Sequence, residues 1–283
     1  MSGQTLAING QRLSGLSALP TTLKFGLTIV LLWIMAALFA PWLTPMDPNA
    51  IDLENVLQPP GSQWLLGTDH VGRDILTRVI YSARIDLWMG FLGVLAPLLI
   101  GVTIGLFSGY FGGLTDAVMM RAVDITLAFP FLILVLAIVA MLGPGVGNFI
   151  IALAVVAWVS YARLIRAEVM VIKNTEYIQA AKTLGYHPMY IIFRHVLPNA
   201  LSPVIVYAMT DAVLVILAGA SLGFIGLGVQ PPTAEWGVMI ADGQPYVIQA
   251  WWICFFPGLA AISLGVGLSM IGDGLARILR VSG

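Results

Sequence analysis

The stretch ITLAFPFLILVLAIVAMLGPGVGNFIIALAVVAWVSYA, residues 125–162, runs for 38 residues without a charge. A helix crossing the ~30 Å hydrocarbon core of a bilayer needs about 20 apolar residues at ~1.5 Å rise each, so this run is too long for one span. GPGVGN at 143–148 divides it into two, because Gly and Pro clusters punctuate helices. Working outward, residues 199–228 form a fifth span carrying Asp211, and 250–272 a sixth. Upstream, 87–115 is charge-free, with SGYFGG (108–113) as the turn out, and 25–46 is ended by Pro41 and Pro45. The expected fold is an all-α membrane protein with six transmembrane helices.

Composition agrees. Of 283 residues, 59% are hydrophobic and 10% charged, with a mean hydropathy of +0.94; soluble domains carry about 25% charged residues. A net charge of −1 leaves no basic surface for nucleic acid. The single cysteine, Cys254, excludes a disulfide framework and a Cys-rich metal site. His70 is separated from His187 and His195 by the spans, so no metal centre is expected. No cleavage-site pattern follows the first apolar run, which is therefore expected to remain as an anchor.

Six spans put both termini on one side. Of the 13 Lys and Arg residues only Arg73, Arg78 and Arg84 fall on the other side, which places the termini in the cytoplasm. Trp42, Trp64, Trp236, Trp251 and Trp252 lie on or next to the outer loops, as an interfacial aromatic belt would. Cys254 is then expected in the outer half of the sixth span. The resulting division is a cytoplasmic segment 1–23, an anchor 24–46, an outer loop region 47–86, a transmembrane core 87–275 with a cytoplasmic loop at 169–198, and a tail 276–283. Small-xxx-small pairs at Gly101/Gly105, Gly105/Gly109, Gly143/Gly147 and Gly219/Gly223 suit close helix contacts or reflect glycine abundance.

The loop between spans four and five, EYIQAAKTLGYHPMYIIFRHVLPNALSP (176–203), reads as two short helices joined at a glycine. Glu176 to Leu184 has good helix formers, and Gly185 sits where a positive-φ residue would end that helix. Pro188 suits the first turn of the next helix, and Pro198 is expected to kink or end it. Such a helix–Gly–helix is either a linker or a surface for another protein to grip.

The segment resembles the EAA loop of ABC importer permeases (E-A-A, three residues, G, nine residues, I-x-L-P). The matching positions are Gln179, Ala180, Ala181, Gly185, His195, Leu197 and Pro198, with Gln179 and His195 replacing the family's Glu and Ile. The resemblance implies a cytoplasmic coupling helix that docks on a partner ATPase. A second stretch, PPGSQWLLGTDHVGRDILTRVIYSARIDL (59–87), is similar to the G-T-D-x-x-G-R-D segment of the oligopeptide, dipeptide and nickel importer permeases. It supplies Gly67, Thr68, Asp69, Gly72, Arg73 and Asp74, and departs from the commoner pattern at residues 81–86. LGFIGLGVQPPTAEWGVMI (222–240) and FPGLAAISLGVGLSMIGDGLAR (256–277) extend the likeness over nearly the whole chain. It implies a second homologous permease, two cytoplasmic ATPase subunits, an external solute-binding protein and surrounding membrane lipid as partners.

No G-x-x-x-x-G-K-[ST] is present, so ATP and Mg would be bound by the ATPase partners and this chain holds no cofactor. Without H-E-x-x-H or G-x-S-x-G it does not read as an enzyme. Asp211, inside a span, is read as a hydrogen-bonding partner for a neighbouring helix, a pathway residue or a proton-coupling group. Asp124 is expected to pair with Arg121 at i, i+3. The turn-rich GTDHVGRD, with Asp69, Arg73 and Asp74 within reach of one another, suits either a charge-paired loop or direct contact with the binding protein or substrate. The competing function is a stand-alone six-span secondary carrier or channel.

Overall fold

A computed structural model describes residues 19–281, with the side chains of 280 and 281 left aside. The N-terminal segment expected at 1–23 therefore lies mostly outside the described residues, as does the end of the tail. The described residues are helical apart from loops and one isolated bridge. The elements are α1 (Thr21–Leu38), α2 (Ala40–Leu43), α3 (Ile75–Phe111), α4 (Gly113–Leu127), α5 (Phe131–Leu142) and α6 (Val146–Val156). They continue with α7 (Trp158–Ile172), α8 (Glu176–Thr183), α9 (Pro188–Ile191), α10 (Leu197–Phe224), α11 (Trp236–Gly243) and α12 (Trp252–Val281).

Five helical stretches are long and apolar enough to cross a membrane: α1, α3, α6 with α7, α9 through α10, and α12. A sixth is obtained if α4 and α5, bent by 85° at the break before Pro130, count as one span. Pro130 stands as the N-cap of α5, where its missing N–H leaves no helical bond unmade. Helix α3 begins at Ile75, well before the charge-free stretch starts at Leu87, so residues 75–86 of the expected loop region are helical. Asp74 starts it by accepting from Thr77 N (2.8 Å) and Thr77 Oγ1 (2.6 Å).

The glycine spacing finds its partner in α6 and α7. A Cβ on Gly101 would strike the Trp158 carbonyl, one on Gly105 the Ala162 carbonyl, and one on Gly109 would sit 3.0 Å from the Arg166 carbonyl. Gly93 meets Leu153 in the same register. The numbers rise together, so α3 and the α6–α7 stretch run parallel. The chain leaving α3 must return to the opposite end before α6 begins, and α4 with α5 is the segment that carries it. Gly219 and Gly223 also pack closely, against Met89 and Glu235, whereas a Cβ on Gly147 would meet nothing within 4 Å.

Helix α1 lies antiparallel on α12. Gly26 faces the Gly267 carbonyl, Gly274 faces Leu23, and Trp33 Nε1 donates to Ser263 Oγ at 2.8 Å. Among the described residues, the chain thus begins and ends at the same end of the bundle. At the other end the loops 44–74 and 225–251, with α11, fold together as a cap.

Two expectations change here. Trp42 and Trp251 are exposed, but Trp236 and Trp252 are buried, so they do not belong to a lipid-facing belt. The Trp236 indole N–H donates to the Val79 carbonyl (3.1 Å), tying the cap to α3, and that of Trp252 donates to the Thr68 carbonyl (3.0 Å), tying α12 to the cap. Asp124 pairs with Arg163 at 2.9 Å rather than with Arg121. Both groups are exposed, and α7 brings Arg163 alongside.

Gly105→Val is expected to destabilise the fold by about 1–3 kcal/mol, because it pushes a branched side chain into the α7 backbone. Gly147→Ala should leave stability unchanged or slightly raise it. Thermal unfolding of the two purified variants in detergent checks the pair.

Candidate functional site

Two polar assemblies stand at opposite ends of the bundle. The cap contains the GTDHVGRD residues. Gly67 and Gly72 have φ of +80° and +81°, and a Cβ on either would collide, with Trp252 Nε1 at Gly67 and with the Asp52 carbonyl at Gly72. Only glycine meets both conditions. Thr68 donates to the Asn55 carbonyl (2.6 Å) and accepts from Gln58 N (2.8 Å). Asp69 accepts from Val71 N, from Arg73 N and, at 2.6 Å, from Arg73 Nε. Arg73 also reaches Asp242 at 3.5 Å.

Arg78, which sequence reasoning did not single out, is fully buried beneath this knot. It donates to the Pro48 (3.0 Å) and Pro232 (3.4 Å) carbonyls and lies 3.9 Å from Asp69. Thr68, Asp69 and Arg73 are themselves buried. The motif therefore holds the two cap loops to the start of α3; its key charges are not displayed on the surface.

Beside it, two fully buried carboxyl groups, Asp86 and Glu235, lie within hydrogen-bonding reach of each other. Glu235 is the N-cap of α11 and accepts from Gly237 N (2.8 Å) and Val238 N (2.9 Å). Asp86 accepts weakly from Trp236 N (3.4 Å). Burial raises the Glu235 carboxyl above the ordinary glutamate range, against the pull of its two amide donors. A proton between the two carboxyls is the arrangement that leaves neither oxygen pair in uncompensated repulsion. The one available sequence signal was Glu235 preceding an apolar helical run, a capping position.

At the opposite end lies the segment 173–198. Helix α8 buries Ile178 and Ala181 and exposes Gln179 and Ala180. It closes by a Schellman pair, Tyr186 N to the Ala181 carbonyl (3.2 Å) and Gly185 N to the Lys182 carbonyl (3.0 Å), with Gly185 at φ +78°. His187 caps α9 through Nδ1, which accepts from Met189 N. Residues Ile192–Val196 then form a π-helical turn, in which Leu197 N reaches back to the Ile192 carbonyl. Pro198, expected to break the helix, instead follows this wide turn near the start of α10, and the helix runs on from Pro188 to Phe224. The π turn makes room for a residue that has no N–H to give.

This segment is tied to the bundle. Lys173 Nζ donates to the Gly109 carbonyl (2.6 Å), Gln179 Nε2 to the Lys173 carbonyl (2.8 Å) and Asn199 Nδ2 to the His195 carbonyl (2.6 Å). Arg166 grips Asp116 with two bonds, 2.5 and 2.6 Å, and Ser108 Oγ donates to the same carboxylate. Among the residues it leaves exposed are the large apolar and aromatic side chains of Tyr177, Leu184, Tyr186, Met189, Tyr190 and Phe193, with Tyr186 stacked on Tyr190. Of the motif residues, Gly185 and Pro198 are exposed, and His195 and Leu197 half-buried. Asp211 lies apart from both assemblies, buried between helices, where it accepts from Tyr161 Oη at 2.6 Å and so joins α10 to α7.

Helices long and apolar enough to cross a membrane, capped at one end and offering a braced aromatic surface at the other, describe a multi-spanning membrane protein. The sequence model described as binding-protein-dependent transport system inner membrane component matches residues 101–280. The one described as N-terminal TM domain of oligopeptide transport permease C matches residues 23–60. The chain belongs to the family of binding-protein-dependent transport system inner membrane components. It is 44% identical over 260 residues to the probable D,D-dipeptide transport system permease protein of Escherichia coli (strain K12), covering 92% of this chain and 87% of that one. It is 43% identical over 256 residues to the di/tripeptide transport system permease protein of Pseudomonas aeruginosa (strain UCBPP-PA14), covering 88% and 84%. The inward-facing MetNI methionine ABC transporter shares the fold at a TM-score of 0.56 and 21% identity, over 74% of this chain and 96% of that one.

Because its pKa is raised on folding, Glu235 adds stability fully below the ordinary glutamate value of about 4.3, and that contribution fades as pH climbs through the raised value. Asp86→Asn supplies an amide N–H to Glu235 and keeps an acceptor for Trp236 N. The variant is expected to flatten the fall in melting temperature as pH rises above the ordinary glutamate range. Melting curves of wild type and variant across that rise decide it.

Proposed function

We propose that this chain is the channel-forming subunit of an ATP-driven importer for peptides or related small solutes, in a bacterial inner membrane. The observation that carries this is the exposed aromatic surface of residues 177–193 on a glycine-closed, π-turned helix pair, at the end of the bundle away from the cap. A large apolar patch mounted on a polar-braced frame suits protein docking, and the matched EAA spacing points to a cytoplasmic ATPase as the occupant. The preference for peptides follows the named relatives.

In this reading the membrane is crossed six times, both termini and the 169–198 loop are cytoplasmic, and the cap faces outward to a solute-binding protein. Residues 176–198 act as the coupling helix. Two ATPase chains bind ATP and Mg, and a second, homologous permease completes the pathway. Movement of α9 is passed to α10 without a break, because the π turn keeps the helix continuous from Pro188 to Phe224. Asp211 serves as a latch between α7 and α10, since its carboxylate is already committed to Tyr161. Purification separates the rival reading: an importer permease brings down ATPase chains and a second permease, whereas a secondary carrier purifies alone.

Gly185→Val and Gly185→Asp are expected to abolish solute uptake while the protein remains in the membrane. No atom lies within 4 Å of a Cβ at this position, so the cost is the backbone's alone, of order 1–2 kcal/mol for a branched residue. Uptake and binding-protein-stimulated ATP hydrolysis in proteoliposomes are the readouts. Wild-type uptake from both variants would reduce 176–198 to a linker.

Orientation has its own test. Gly243 is buried against Ile253 and Cys254, so a reporter belongs at Ile248, which is 95% exposed. In a Cys254→Ser background, Ile248→Cys is expected to react with an impermeant maleimide from outside. Reaction only after permeabilisation would reverse the topology.

A further inference from the structure

On the flank of the bundle, α1, α3, α10 and α12 leave a groove of about 750 Å³. Along α3 it extends from Arg84 to Leu98. At ~1.5 Å per residue that is about 21 Å, whereas one leaflet contributes about 15 Å of hydrocarbon. The groove thus starts at headgroup level on the cap side and ends near the bilayer centre.

Its polarity is graded in the same direction. Arg84 stands at the cap end, with Nε donating to the Ala37 carbonyl (2.6 Å) and Nη2 to the Leu38 carbonyl (3.4 Å). Its guanidinium lies 5.1 Å from the Tyr81 ring centre, and Nη1 has no acceptor among the described residues. The exposed Trp42 and Trp88 are the residues expected at an interface of water and lipid. Beyond Arg84 the lining is apolar apart from Asp86, whose carboxyl is engaged with Glu235 and Trp236.

The lining discriminates against a protein helix. Helices that meet in a membrane favour small residues at their contact, as Gly101, Gly105 and Gly109 do against α7. Here the rims are bulky, with Trp88 and Phe91 exposed, while Gly90, Ala208 and Ala212 form only the floor. A narrow slot with a small-residue floor and a cationic mouth fits a flexible chain bearing an anionic head.

We propose that this groove binds one acyl chain of a phospholipid from the cap-side leaflet, with the lipid phosphate paired to Arg84. The lipid would fill the space between the cap-side half of α1 and α10. The anchor helix would then be held by lipid where it is not held by protein. This inference does not depend on the transport reading.

The test uses the protein with whatever partners it carries from native membranes, purified in mild detergent and examined by native mass spectrometry. Wild type is expected to retain one phospholipid per copy. Ala212→Phe, which fills the floor, should cut occupancy at least about tenfold, corresponding to about 1.4 kcal/mol. Arg84→Gln should reduce it by less. If Ala212→Phe fails to accumulate, Ala208→Leu fills the same floor. Equal lipid retention in wild type and a folded floor variant overturns the proposal, as does the absence of retained lipid. In parallel, a benzophenone amino acid at Phe91 is expected to give lipid adducts that the floor variant depletes. Adducts to a second polypeptide would make the groove a subunit interface and sink the lipid assignment.

Discussion

Along α3, Gly101, Gly105 and Gly109 let the backbone of α7 come within contact distance of the helix surface, and the two run parallel. Lipid offers no hydrophobic drive between helices, so close packing of this kind is what holds them together. A parallel pair cannot be joined by a short turn. The bent α4–α5 connection is therefore a consequence of the glycine contact, and the 85° break at Pro130 is where the returning chain changes direction. Helix α10 then packs antiparallel on α3, Met89 on Gly219, α12 packs antiparallel on α10, Met209 on Gly272, and α1 closes the bundle against α12.

The polar residues are placed by the same logic. Charges that face lipid are costly, so α3 carries its own into a protein-lined knot at the cap: Arg78 between two carbonyls and Asp69, and Asp86 against Glu235. A buried pair of this kind adds little net stability over apolar packing but is sharply destabilising when one member is removed. Its effect is to fix where α11 and both cap loops sit. The cap is thus a rigid lid on one end of the bundle, and the opposite end keeps its apolar residues outside. Asp116, Arg166, Ser108 and Lys173 brace that end from within, and the aromatic side chains of residues 177–193 stay exposed.

Runs without charge located five helical stretches that could cross a membrane, and a sixth if the bent α4–α5 pair counts as one, because a bilayer imposes length and polarity on any segment that crosses it. The chain alone also located the Gly185 closure, since a left-handed residue at the end of a helix is a local requirement, and its φ is +78°. The EAA and GTDHVGRD spacings likewise led to the family. Tertiary structure decided the partners. Trp236 and Trp252, placed by sequence at a lipid interface, are buried because their N–H groups find carbonyls on α3 and beside it. Asp124 pairs across to α7 and not along its own helix, and Arg78, Asp86 and Glu235 acquire meaning only where distant loops meet. A π turn ahead of Pro198 is equally invisible in the sequence, where proline signals a break. Hydropathy and backbone preference are properties of a residue and its neighbours in the chain, so they can be read in order. Hydrogen-bond partners brought together over separations such as 157 and 184 residues depend on how helices cross, and only the folded bundle settles that.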